Sequence, residues 1–149
     1  MAWITSYEKI STPTIYKISF FDGLVNFIAT INNENDFKNC VYAITEPNTG
    51  IIYIGKANRL VKRIETHRLS ILACIKVLNN KRVNKVFPSY VLNCHKEFAK
   101  VFIDTGHLDI NFTILSGTTK NLKDIEDHYI KIYSSDYPNL ILNKRSVFI

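Results

Sequence analysis

The sequence predicts an α/β chain in which a short central antiparallel sheet is flanked by helices and preceded by a β-hairpin extension. Three observations carry this. Short runs rich in β-branched and aromatic residues come in pairs around turn residues. Two longer segments, 59–78 and 122–133, repeat apolar residues at three- and four-residue steps. The chain has 149 residues, 46% hydrophobic and 21% charged, enough for one domain with a buried core and too few for two ordinary domains.

The elements follow in order. Residues 14–21 and 24–31 are β-rich and flank Asp22-Gly23, a strong hairpin signal. The polar stretch 32–39 reads as a linker. We therefore divide the chain into an extension with its linker, 1–38, and an α/β unit, 39–149. Cys40–Thr45 and Ile51–Ile54 are β-rich around the turn Pro47–Gly50, so they form a second hairpin. Asn58 suits the cap of a helix from Arg59 to about Leu78, with Leu60, Ile64, Ile71, Ile75 and Leu78 on one face. Asn79-Asn80 ends it. Pro88 opens a helix over about 89–101. Residues 110–115 form a further strand, 116–121 a polar loop, and 122–133 a helix stopped by Pro138.

Composition narrows the function. The longest apolar stretch, 69–78, is broken by Lys76 and is too short to cross a bilayer. The first ten residues show no basic start followed by an apolar run, so no secretory leader is expected. Cys40, Cys74 and Cys94 and the four histidines are widely spaced, which suggests neither a disulfide framework nor a zinc half-site. A reduced cytoplasmic setting is expected, the host cytoplasm if the gene is viral.

Charge points to a partner. The net charge is +6, yet the stretch 56–100 alone carries eleven Lys/Arg against Glu65 and Glu97, and the rest of the chain is net acidic. A concentrated positive stretch in a folded chain fits a polyanion. A solvated basic face is the plain alternative. No segment pairs a basic face with exposed Trp or Phe as a membrane-surface helix would.

The central motif sits on the second hairpin: Cys40-Val41-Tyr42 on one strand and Tyr53-Ile54-Gly55-Lys56 on the other. Arg63 follows Gly55 by eight residues, His67 comes one helical turn later, Glu126 lies on a later helix and Asn143 near the end. In these features the chain resembles the GIY-YIG nuclease family over about residues 41–143. Cys40 stands where that family has its first glycine and Val41 where it has isoleucine. The hairpin extension, the lysine directly after Gly55 and the lack of a C-terminal DNA-binding module are most similar to the stand-alone phage endonuclease II branch.

The resemblance implies a metal-dependent DNA endonuclease that leaves 5′-phosphate and 3′-hydroxyl ends, with Mg2+ as cofactor and Mn2+ able to substitute. It implies Tyr42, Tyr53, Arg63, His67 and Glu126 as catalytic residues. Tyr42 is preferred as general base and Tyr53 as a positioning group. Ser89, Tyr90 and His95 are the options for a further active-site residue between Arg63 and Glu126.

The residues themselves leave choices open. At about 100° per residue, Glu126 falls inside the apolar arc of its helix, with Asp124, Asp127 and Lys131 on the far side. A carboxylate there needs a positive partner, which is either a metal or an ion pair with Arg63 or Lys56. Arg59, Arg63 and His67 form one stripe. Arg63 suits a phosphate, and His67 either orients a phosphate, assists a proton transfer or is a surface residue. Lys56, Arg59, Lys81, Arg82, Lys85 and Asn143 are the expected DNA contacts. The duplex is the expected partner, with no membrane, and the sequence is compatible with a homo-oligomer.

Two rival readings are weighed. Gly50–Ala57 nearly matches a phosphate-binding P-loop. Residues 51–54 are bulky and β-forming where a phosphate cradle needs a compact loop, and Ala57 lacks the hydroxyl for Mg2+. The other rival is a catalytically inactive nucleic-acid-binding module on the same fold, which would need the 56–100 charge but no core-facing carboxylate.

Overall fold

The computed structural model describes residues 16–21, 26–30, 38–80, 86–117 and 121–143. Strands β1 (Tyr16–Phe20), β2 (Asn26–Thr30), β3 (Lys38–Thr45), β4 (Ile52–Arg59) and β5 (Leu108–Gly117) form one sheet in the order β2-β1-β5-β3-β4, each neighbour antiparallel. Helices α1 (Leu60–Asn79), α2 (Asn93–Thr105) and α3 (Leu122–Asp136) complete the α/β fold.

Side-chain alternation makes three layers. Cys40, Tyr42 and Ile44 of β3 share one face with Ile18, Phe20, Ile110 and Phe112, under Leu60, Ile64 and Ile71 of α1 and Phe98 and Phe102 of α2. Val41, Ala43, Ile52 and Ile54 point to the other face, under Ile130 and Tyr133 of α3. Strand β3 is buried on both faces over residues 41–44, which is why it reads as a continuous apolar run.

The N-terminal hairpin is part of this sheet rather than an arm beside it. Strand β1 pairs with β5, with Ile18 opposite Ile110 and Phe20 opposite Leu108. Ile18 and Phe20 are fully buried, so the hairpin contributes core that an isolated two-stranded ribbon lacks. The expected Asp22-Gly23 turn lies outside the described residues.

Helix ends differ from expectation by a few residues. Asn58 does not cap α1, because β4 continues to Arg59, which pairs with Lys38. Helix α2 begins at Asn93, after a turn closed by Val91 N–H onto Pro88 O. Helix α3 starts as expected, with the Asn121 side chain accepting from Asp124 N–H at 3.3 Å, and runs on to Asp136.

The outer edge of β4 is covered by the chain beyond α3. Ile52 N–H donates to Leu140 O (2.9 Å) and Leu142 N–H to Ile52 O (2.7 Å). Covering an edge strand in this way blocks its pairing with other chains. Among the described residues, no helix is long and apolar enough to cross a membrane.

Candidate active site

The β3–β4 ladder sets the first two groups. Tyr42 lies opposite Gly55, and Tyr53 opposite Ile44. The two tyrosines are therefore diagonal neighbours on one face of the sheet. A β-bulge against β5 falls between Val41 and Tyr42, a device that re-aims a side chain next to a site. The Tyr42 ring lies over Gly55, where a Cβ would come within 2.5 Å of its hydroxyl oxygen. Replacement of the first family glycine by Cys40 is accommodated, since Cys40 is simply buried core.

Helix α1 supplies the next two groups. His67 is buried, with Nε2 at 2.6 Å from the Tyr42 hydroxyl and Nδ1 at 2.8 Å from His95 Nε2. Arg63, one turn earlier, stands near the same Tyr42 hydroxyl, where its charge favours the ionised phenol. The Tyr53 ring stands 5.9 Å from the His67 ring. His67 is thus neither a surface residue nor a phosphate ligand, because both ring nitrogens are engaged inside the protein. The expected stripe splits: Arg59 and Arg63 are exposed, and His67 turns inward.

Burial dominates the electrostatics. It pushes the Tyr42 phenol well above its ordinary value of 10.0, and the neighbouring Tyr53 adds to this while Arg63 opposes it. Burial, then His95 and Arg63, hold His67 well below 6.5. Burial and then Arg63 push His95 down to about 4. Both histidines are therefore neutral at pH 7.

A groove of about 600 Å³ opens beside this cluster, lined by Lys56, Arg59, Lys62 and Arg63 and by Leu122 of α3. Four cations on one concave wall suit a phosphate backbone. Glu126 is half-buried on α3, one helical turn beyond Leu122. Asp124, Asp127 and Lys131 are exposed, as the helical arc indicated. Lys81, Arg82 and Lys85 lie outside the described residues.

Asn143 has a different place from the DNA contact expected of it. It is buried, its Oδ1 accepts from Ile54 N–H and its Nδ2 donates to Ile54 O, both at 2.8 Å. Its amide thus clamps the backbone between Tyr53 and Gly55 and is not presented to a ligand. The P-loop reading also fails, because 52–59 is a strand whose backbone is paired.

Of the three options between Arg63 and Glu126, His95 joins the site and Ser89 and Tyr90 stand exposed in the turn before α2. Sequence reading missed the juxtaposition of His67, Cys94 and His95, whose donor atoms lie within 4.8 Å of one another. It also missed Glu46, a fully buried carboxylate that accepts from Asn48 N–H, Thr49 N–H and the Thr49 hydroxyl and so fixes the β3–β4 turn. The only local hint was its place directly before Pro47.

The donor sets differ in what they suit. Glu126, one helical turn from the groove-lining Leu122, offers hard oxygen ligands, the kind Mg2+ takes together with waters and substrate phosphates. The His67–Cys94–His95 cluster offers nitrogen and sulfur, which are wrong for that ion. Burial also pushes the Cys94 thiol up to about 12, away from the thiolate a softer metal needs.

The model of the GIY-YIG catalytic domain matches residues 38–138. That is more than half of the chain, and the chain belongs to the GIY-YIG family. Membership implies nuclease activity on a nucleic-acid substrate. Comparison with curated proteins and with solved structures gave no match.

Proposed function

We propose that this protein is a divalent-metal-dependent endonuclease that hydrolyses DNA, double-stranded by preference, to 5′-phosphate and 3′-hydroxyl ends. Mg2+ is the proposed cofactor, with Mn2+ able to replace it. The observation that carries the reading is the double position of Arg63. Its charge acts on the Tyr42 hydroxyl, and the same side chain lines the cationic groove. A phosphate seated in the groove thus lies one side chain away from the phenol.

The roles follow from that placement. Lys56, Arg59 and Lys62 hold the backbone in the groove. Arg63 donates to non-bridging oxygens and stabilises the charge that builds in the transition state. As Arg63 turns to the phosphate, it uncovers the Tyr42 oxygen, which in its phenolate form takes a proton from the attacking water. Tyr53 positions that water. Glu126 would hold the metal, which when bound supplies positive charge at the scissile phosphate. Because burial keeps the Tyr42 phenol protonated at neutral pH, the phenolate fraction, and with it the rate, rises about tenfold per pH unit on the alkaline side.

Two features support kinship with the stand-alone phage endonuclease II branch and hence action in a host cytoplasm: Lys56 directly after Tyr53-Ile54-Gly55, and the N-terminal hairpin. The test is nicking of supercoiled plasmid in Mg2+ and in EDTA, with Glu126→Gln alongside. We expect the variant to fold, bind DNA and not cut. Near-normal cleavage by it at limiting Mg2+ would refute the role of Glu126. Tight binding with no nicking by the wild type would instead identify an inactive nucleic-acid-binding module.

A further inference from the structure

We propose that His95 is a positioning residue for cleavage: it holds His67 in the Nε2–H tautomer, so that His67 donates a hydrogen bond to the Tyr42 oxygen and cannot accept one from it. This rests on the nuclease reading above.

The hydrogen-bond relay starts at a backbone amide. Leu92, the residue before α2, donates its N–H to His95 Nδ1 at 2.9 Å. Leucine has no side-chain acceptor, so His95 at the third helical position supplies the reciprocal half of a capping box. An amide can only donate, so His95 Nδ1 carries no proton. A neutral imidazole then bears its proton on Nε2. That atom faces His67 Nδ1 at 2.8 Å, so His67 Nδ1 accepts. The His67 proton is thereby placed on Nε2, 2.6 Å from the Tyr42 hydroxyl. The polarity runs one way, from Leu92 through His95 and His67 to Tyr42.

The consequence lies on the phenol. Its oxygen receives the His67 Nε2–H donor, and the nearby Arg63 charge favours its ionised form. Its own proton has no acceptor in His67 and must point elsewhere. Once that proton passes to water on the side that Arg63 uncovers, the His67 donor stays in place to hold the phenolate. The opposite tautomer would accept the phenol proton and hold Tyr42 neutral. Among the described residues, the ionisable groups facing the two histidines are Tyr42 of β3, Tyr53 of β4, Arg63 of α1 and Cys94 of α2. None of them is an acid that could protonate either ring. Burial keeps both rings neutral, as the tautomer argument requires. The same polarity argues against a metal on this cluster, since the His95 nitrogen that a cation would need already holds the proton.

The first test is the tautomeric state of both rings, read from long-range 1H–15N correlations on the full-length wild-type protein at pH 7. We expect both to be neutral with the proton on Nε2. A proton on His67 Nδ1 would overturn the proposal whatever the variants do. The second test is single-turnover cleavage at saturating DNA and Mg2+. His95→Gln keeps an acceptor for Leu92 N–H and a donor for His67, whereas His95→Leu keeps neither. We expect the leucine variant to lose on the order of 10–100-fold in rate, as for other orienting hydrogen bonds behind a catalytic group. Its DNA affinity should hold, and the alkaline limb of its pH–rate profile should move to higher pH. The glutamine variant should stay within about threefold of wild type. Equal losses in both variants with an unmoved pH profile would reduce His95 to a helix cap. A wild-type protein that never cuts DNA would overturn the nuclease reading itself, whereas cutting that His95→Leu leaves intact would overturn only the positioning role.

Discussion

Gly55 and Tyr42 face each other across the β3–β4 ladder, and the phenol hydroxyl fills the space a Cβ at position 55 would take. The glycine is therefore required by side-chain passage across the strand, not by a turn. Tyr42 is fully buried and cannot step aside. Gly55→Ala should cost about 1–3 kcal/mol through overpacking. It should also displace the hydroxyl from His67, and a shift of that size costs on the order of 10²-fold in rate. Urea denaturation and single-turnover kinetics check the two parts. Full activity in a stable Gly55→Ala protein would remove Tyr42 from the chemistry.

Arg63→Ala should lose on the order of 10²–10³ in cleavage rate, the usual loss for a transition-state donor. DNA affinity should change far less, because ten other basic residues remain between Lys56 and Lys100. Arg63→Lys should restore little, since a point charge does not reproduce the planar fork. Anisotropy and rate are measured on the same preparation. Equal falls in both would make Arg63 a binding residue only.

Asn143→Ala should destabilise by about 2–4 kcal/mol, because it strands the N–H and C=O of Ile54 at a buried position. DNA affinity of the folded fraction should stay unchanged. A loss of affinity with unaltered stability would return Asn143 to the DNA interface.

Stability should fall as the solution is acidified through the window between 6.5 and about 4. The folded pKa of His95 is depressed to about 4, and that of His67 is also depressed. The unfolded chain binds the proton near pH 6.5 while the folded chain does not, so unfolding takes up protons in this window. The stabilisation is fully present above 6.5 and lost as pH drops, on the order of 3 kcal/mol from His95 alone. Thermal melts across this range check it. His95→Gln removes one titrating group and should flatten the dependence. A flat wild-type profile would mean that the two rings take up protons as readily in the folded protein as in the unfolded chain.

How far the chain was readable depended on distance along it. Turn chemistry around Pro47–Gly50 and the three- and four-residue apolar steps of α1 and α3 are local features, and each element appears near its expected place. The Tyr42, Tyr53-Ile54-Gly55 and Arg63 spacing is also local: a hairpin and the first turn of a helix bring these residues together with little further folding. Glu126 on the inner arc of its helix followed from periodicity alone.

What sequence periodicity left open was decided by contacts between distant segments. Whether the N-terminal hairpin stood alone or joined the sheet depended on β1 finding β5, some ninety residues away. The start of α1 was set by the Lys38–Arg59 pairing, which overrode a good capping residue at Asn58. Asn143 reaches Ile54 across 89 positions, and His95 reaches His67 across 28. Local sequence determined the fold class, the strands and helices and the residue types of the site, because backbone propensity and amphipathic period act over a few residues. Only the tertiary structure decided that His67 turns inward, that His95 sets its tautomer and that Asn143 clamps a strand. Those assignments depend on which buried polar groups meet, and a buried donor or acceptor must find its partner wherever the packing places one.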